Sequence, residues 1–208
     1  MFYTIKISSL KESDFMIIYL HGFNSTGDSA KGNALKSALK NDIHCYTPTY
    51  RYEPDLAIAG LTKYVKNSVS QHANNEPRMI IGSSLGGFYA QYLARQFSGF
   101  KVVLINPALG PIATLQNHLG ENENFYSGEK YILQQKHLEQ LQHYDIKHPC
   151  RNHKETLLLL DKDDEVIDYH FALEKYKKCA KIILFDGGDH QFQHLNESIP
   201  EIIYFYNS

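Results

Sequence analysis

A chain of 208 residues, 43% hydrophobic and 12% aromatic, is long enough to bury a sizeable core in one domain and too apolar for intrinsic disorder. Its 21 lysines and arginines against 23 aspartates and glutamates give a formal charge of −2. With no dense basic block, the electrostatic footprint of a nucleic-acid binder is absent and small-molecule partners are favoured.

Met1 to Leu10 has no basic segment ahead of a long apolar one, and no run approaches the length of a membrane span. The expectation is a soluble, unexported protein of the cytoplasm. Tyr3 to Ile7 alternates like an edge strand. Phe15 to Leu20 is the first of several short apolar runs, followed by Met79 to Ile81, Val102 to Ile105, Thr156 to Leu160 and Ile182 to Phe185, with His44 to Thr47 a weaker candidate. These runs are too short for core helices, and each ends at a polar or glycine turn, as parallel strands covered on both faces do. Between them lie segments of helical period: Ala30, Ala34, Leu35, Ala38 and Leu39; Leu56, Leu61, Val65 and Val69; Phe88, Tyr89, Leu93 and Phe97. Phe171 to Tyr176 and Ile199 to Tyr206 supply two more helices, the latter with Pro200 in its first turn. Strand and helix alternate, which predicts a mostly parallel, doubly wound α/β sheet with helices on both faces.

About fifty residues separate Ile105 from Thr156, far more than an ordinary connection. Residues 107–153, with a helix-like stretch around Tyr131 to Leu141, are expected to form a lid or cap within the single domain; the alternative is a crossover helix with long flanking loops. Cys45, Cys150 and Cys179 are odd in number and irregularly spaced, which suits reduced thiols.

Gly82-Ser83-Ser84-Leu85-Gly86 carries a G-x-S-x-G pattern between a strand and a helix. A turn sharp enough to lift a serine oxygen above the sheet needs glycine two residues to either side, where side chains would collide. Ser83 has Ile81 and Leu85 in those places, so Ser84 is the candidate nucleophile. A serine that transfers acyl groups needs a base, an acid to orient the base, and donors for the developing oxyanion. His190 follows the last strand in Asp186-Gly187-Gly188-Asp189-His190 and is the candidate base. The acid comes from a loop crowded by Asp161, Asp163, Asp164 and Asp168. Asp164 is favoured because Val166 can anchor its turn; Asp163 is the main competitor, Asp161 suits a strand-end cap and Asp168 a helix N-cap. The backbone amides of Leu85, after the nucleophile, and Phe23, after His21-Gly22, are candidate oxyanion donors. His190 and His194, four apart, could also share a helical face as metal ligands, but no H-E-x-x-H or cysteine cluster supports them. His118, His137, His143, His148 and His153 are read as surface residues of the insertion. Tyr50, Arg51 and Tyr52 follow a strand end and either line a pocket or form a surface turn.

With His21-Gly22-Phe23-Asn24-Ser25, Gly82 to Gly87, Asn106-Pro107-Ala108, Leu119-Gly120-Glu121-Asn122, Asp164 to Tyr169 and Gly187 to His190 all in order, the chain resembles the YqiA-type bacterial esterases of the α/β-hydrolase superfamily. By position the family's nucleophile falls on Ser84, its acid on Asp164 and its base on His190. Where the family often has glycine before that aspartate, this chain has Asp163. The resemblance implies hydrolysis of carboxylic esters, with acyl thioesters such as acyl-CoA as an extension, and no metal or organic cofactor. A hydrolase-fold protein that binds a ligand or partner without catalysis is the alternative. The sequence assigns no oligomeric state.

Overall fold

The computed structural model describes residues 16–39, 43–71, 77–150 and 155–208. The edge strand expected at Tyr3 to Ile7 lies outside them, as does His153. Strands β1 (Met16–Leu20), β2 (His44–Tyr46), β3 (Arg78–Ser83) and β4 (Phe100–Ile105) alternate with helices α1 (Ala30–Leu39), α2 (Pro54–Gln71) and α3 (Leu85–Gln96). After an intervening segment come β7 (Thr156–Asp161), α6 (Tyr169–Tyr176), β8 (Lys181–Phe185) and α7 (Leu195–Asn207). The six strands form one parallel sheet in the order β2-β1-β3-β4-β7-β8.

The continuous apolar runs follow from burial on both faces. Ile18, Leu20, Ile80, Leu104 and Leu158 point to the side covered by α2, α3 and α6. Their neighbours Ile17, Tyr19, Met79, Ile81, Val103 and Leu159 point to the side covered by α1 and α7. Alternate residues thus serve two cores, so the middle positions of the central strands are apolar, while polar residues such as Arg78, Lys101 and Asp161 stand near the strand ends. The register pairs Leu20 with Gly82, Ser83 with Ile105 and Asp161 with Phe185, so the carboxyl ends finish level. In open parallel sheets that edge holds the ligand site.

The intervening segment holds α4 (Pro111–Leu115), a separate antiparallel hairpin of β5 (Gly120–Glu123) and β6 (Lys130–Leu133), and α5 (Gln135–Leu141). The helix expected from Tyr131 is therefore a strand as far as Leu133. Tyr131 and Leu133 are buried while Lys130 and Ile132 are exposed, a period of two that a short apolar stretch does not separate from a helical one. α5 begins only after Gln134, whose side chain and that of His137 form a reciprocal capping box. His137 is accordingly buried, not a surface residue. Leu133, Leu138 and Leu141 join the core beside α2 and α3, and the Tyr144 hydroxyl donates to Asp55 at 2.6 Å.

Two further expectations change. Helix α7 starts at Leu195, so Pro200 lies inside it and not in its first turn; the missing N–H leaves the Asn196 carbonyl without its helical donor. Cys150 and Cys179, 29 residues apart with Cα atoms 4.9 Å apart, are joined in a disulfide, which removes the redox argument for the cytoplasm. Only Cys45 is a free thiol among the described residues, and burial pushes its pKa up to about 12. No described helix is long and apolar enough to cross a membrane. Protein purified without reductant and then denatured is expected to react with one equivalent of a thiol reagent, rising to three after reduction. Three equivalents before reduction would show that the Cys150–Cys179 bond does not form.

Candidate active site

Ser84 stands alone between the last residue of β3 and the first of α3, at φ 53 and ψ −124. Its N–H donates to the Ile105 carbonyl at 3.1 Å, and its carbonyl accepts from Gly87 at 2.9 Å and Ala108 at 3.0 Å. The turn closes because two flanking residues have no side chain. A Cβ on Gly82 would run into the Gly86 carbonyl, and one on Gly86 would run into the carbonyls of Leu20 and His21 at the end of β1. Gly22 lies directly over Ser84: a Cβ there would be 3.2 Å from the serine Cβ.

His190 sits in a loop that Gly187 and Gly188 turn with φ of 75 and 80. Its Nε2 is 3.0 Å from Ser84 Oγ, and its Nδ1 is 2.9 and 3.0 Å from the two oxygens of Asp164. The Asp164 carboxylate is 1% exposed and also accepts the N–H groups of Val166 at 2.9 Å and Ile167 at 2.8 Å. Those amides hold the turn, whereas the Val166 side chain expected to anchor it is 48% exposed and lines the site instead. Asp163 is exposed, and only its backbone N–H reaches the histidine loop, donating to Gly187 at 3.2 Å. Asp168 caps α6 by accepting from His170 N–H at 2.9 Å.

Phe23 and Leu85 line the same cavity as Ser84 and His190, and among the described residues neither backbone N–H meets a protein acceptor. The Phe23 ring packs at 5.3 Å from His118 and 6.4 Å from Tyr131, and the Tyr131 hydroxyl donates to the Asn24 side chain. Hence the loop that carries the Phe23 amide is held by the 107–153 segment. The cavity has a volume of about 580 Å³, and Leu115, His118, Phe125 and Tyr126 of that segment form one of its walls. Tyr50, Arg51 and Tyr52 line a second cavity of about 100 Å³, which shares Gly22, Phe23 and Leu85 with the first.

Two supports were not legible as such in the sequence. Asp161, wholly buried at the end of β7, accepts from Asp189 N–H at 3.3 Å and Gln193 N–H at 2.9 Å, and pairs with His194 Nδ1 at 2.7 Å. It braces both ends of the His190 loop, a larger role than a strand-end cap. His190 and His194 therefore turn to different carboxylates and share no helical face; among the described residues no three His, Cys, Asp or Glu side chains are grouped to hold a metal. The second support is His21, 3% exposed and stacked on Tyr50 at 4.0 Å, whose Nδ1 donates to the Gly22 carbonyl at 2.9 Å. Burial lowers its pKa to about 4, so it is neutral near pH 7.

The unfolded chain takes up the His21 proton near pH 6.5 and the folded chain only near 4, so protons favour unfolding between those values. Stability is expected to fall by about 3 kcal/mol from this residue as pH drops from 6.5 to 4, and urea titrations of His21→Gln should show that part of the pH dependence missing. Asp161→Ala takes a wholly buried acceptor from three donors and is expected to destabilise the fold by about 2–4 kcal/mol. Exposed Asp163→Ala should stay within about 0.5 kcal/mol; equal effects would refute the brace.

A UPF0227 protein of Vibrio parahaemolyticus is 25% identical over 193 residues, covering 93% of this chain and 100% of its own length. Among solved structures, Est1E from Butyrivibrio proteoclasticus superposes with a TM-score of 0.73 at 16% identity, covering 93% of this chain and 88% of that one. An esterase domain from Rhodothermus marinus gives a TM-score of 0.65 at 17% identity, covering 91% and 84%. Together with the six-stranded parallel sheet, these likenesses identify an α/β-hydrolase fold of the YqiA type. The profile of the family described as Uncharacterised protein family (UPF0227) matches residues 16–207, and the chain belongs to that family.

Proposed function

We propose that the protein is a serine hydrolase that cleaves carboxylic esters through an acyl-enzyme, with acyl thioesters as an extension of the same chemistry. One observation carries the reading: Ser84 Oγ, His190 and Asp164 form a chain of contacts at 3.0 and 2.9 Å, with Ser84 and His190 opening on a cavity that two unpaired amides also line. His190 Nε2 accepts the Ser84 proton as Oγ attacks the acyl carbonyl, while Nδ1–H donates to Asp164 and the imidazolium that forms is stabilised. The carbonyl oxygen becomes an oxyanion that the Phe23 and Leu85 amides receive, aided by the amino end of α3. His190 then returns the proton to the leaving alcohol or thiol. A water activated by the same nitrogen releases the acid and restores Ser84. No step needs a metal or organic cofactor.

Residues 107–153 act in this proposal as the cap of the site, since they wall the cavity and hold the Phe23 loop. The esterase domain from Rhodothermus marinus, which has the same fold, favours the ester reading over ligand binding alone.

A fluorophosphonate probe is expected to label the wild-type protein and not Ser84→Ala, whose ester turnover should fall roughly a million-fold. Asp164→Asn should lower kcat by about 10⁴-fold through the wrong imidazole tautomer, and Asp163→Asn by less than tenfold. Equal labelling of wild type and Ser84→Ala would remove Ser84 as nucleophile; the reverse order of the two aspartates would move the acid to Asp163.

A further inference from the structure

The cavity that holds Ser84 has a one-sided charge. Among the described residues no aspartate or glutamate lines it, and Lys31, in the first turn of α1, is the one lysine or arginine that does. Several lysines elsewhere sit against carboxylates, Lys36 on Asp28, Lys162 on Asp186, Lys175 on Asp145 and Lys181 on Glu201, whereas Lys101 is held by the carbonyls of Phe205 and Tyr206, away from this cavity. Lys31 Nζ instead donates to the backbone carbonyl of Gln191 at 2.8 Å, next to His190, and no carboxylate of the described residues comes within ion-pair distance. Asp161, Asp164 and Asp189 act on it only from farther away, and each has other donors: Asp161 the brace, Asp164 His190, and Asp189 the Gln193 side chain at 2.6 Å.

An ammonium has three N–H groups. Here one finds a neutral acceptor, and burial lowers the pKa by more than the distant charges of Asp189, Asp161 and Asp164 raise it. The same corner offers another donor. The Tyr126 hydroxyl, which lines the same cavity, accepts the N–H of Ala30 at 3.4 Å and keeps its own hydrogen for a further acceptor. A cation with spare donors, flanked by a hydroxyl and facing a cavity without carboxylates, is a receptor for an anion.

We infer that the ester substrate carries an anionic group, a carboxylate or phosphate, which Lys31 and Tyr126 bind at the α1 end of the cavity while Ser84 attacks the ester. This rests on the hydrolase reading and adds the substrate's charge class to it. Lys31 is then a specificity-determining residue. The competing role is structural, a tie from α1 to the His190 loop through Gln191.

The test compares kcat/KM for charged and neutral partners of matched size. p-Nitrophenyl glutarate hemiester against p-nitrophenyl valerate places the anion on the acyl side; 4-acetoxybenzoate against 4-acetoxybenzamide places it on the leaving group. Wild type is expected to favour the anionic member of at least one pair by on the order of ten- to a hundredfold, and the favoured pair identifies the side that faces Lys31. In Lys31→Gln that ratio should fall to near one, in Lys31→Glu it should invert, and Lys31→Arg should keep it. A tie between elements would move both members of a pair together and leave the ratio alone. A wild-type ratio of one or less for both pairs, or a ratio unchanged in Lys31→Gln, overturns the inference while ester turnover and Ser84 labelling still stand. If no ester is turned over, titration of glutarate against glutaramide into wild type and Lys31→Gln decides the same point. Weaker binding of glutarate alone in the variant supports the anion site, and equal binding in both proteins overturns it.

Discussion

The site depends on one close approach of backbone to backbone. Gly86 at the start of α3 lies so near the carbonyls of Leu20 and His21 that no side chain fits between them. This contact brings the end of β1 against the turn after β3, and so sets the Phe23 amide and the Ser84 hydroxyl in one cavity. Neighbouring strands of a sheet are about 5 Å apart, and α3 rises beside β1 at that spacing because its second residue, Gly86, has no side chain. Gly82 serves the same closure from the other side of Ser84, and Gly87 packs against Pro107 after β4. The position of the serine is thereby a property of the central sheet and not of a loose loop.

The histidine lacks that rigidity by itself, since it hangs from a glycine-turned loop. Its placement is transferred from the sheet by buried polar groups. Asn106, after β4 at φ 39, accepts the Asp161 N–H at 2.9 Å and donates to the Asp189 carbonyl at 2.9 Å. Asp161 then binds the loop on both sides of His190. Buried polar groups are tolerated when each finds a partner, and here the partners are the segments that must stay in register. His194, stacked on Phe185 at 4.7 Å, extends the same network to β8.

Much of this was legible in the sequence because it follows from periodicity and order. Five apolar runs located five strands to within two residues, since a strand covered on both faces has no polar positions to blur it. Ser84 and His190 could be named because glycine spacing and strand ends leave few choices. Asp164 was favoured over Asp163 from the sequence, but on the Val166 side chain; its contact with His190 instead accompanies a fold back onto its own turn amides, which composition does not record. Tyr131 was misplaced in a helix because four residues of β6 are too few to show their period. The roles of Asp161 and His21 were hidden for another reason. Asp161 binds backbone groups of the distant His190 loop, and His21 stacks on the distant Tyr50 ring, and no spacing rule reaches either. The Cys150–Cys179 bond is likewise set by how the end of the insertion meets the turn before β8.

Ser84 holds a positive φ that a residue with a side chain adopts at a penalty of about 1–3 kcal/mol. Glycine would relieve this strain at an entropic cost of about 0.5–1 kcal/mol in the unfolded chain. Selection for stability alone would thus drift toward glycine at this position, and a serine maintained there across descendants of this chain would record continued use of its hydroxyl.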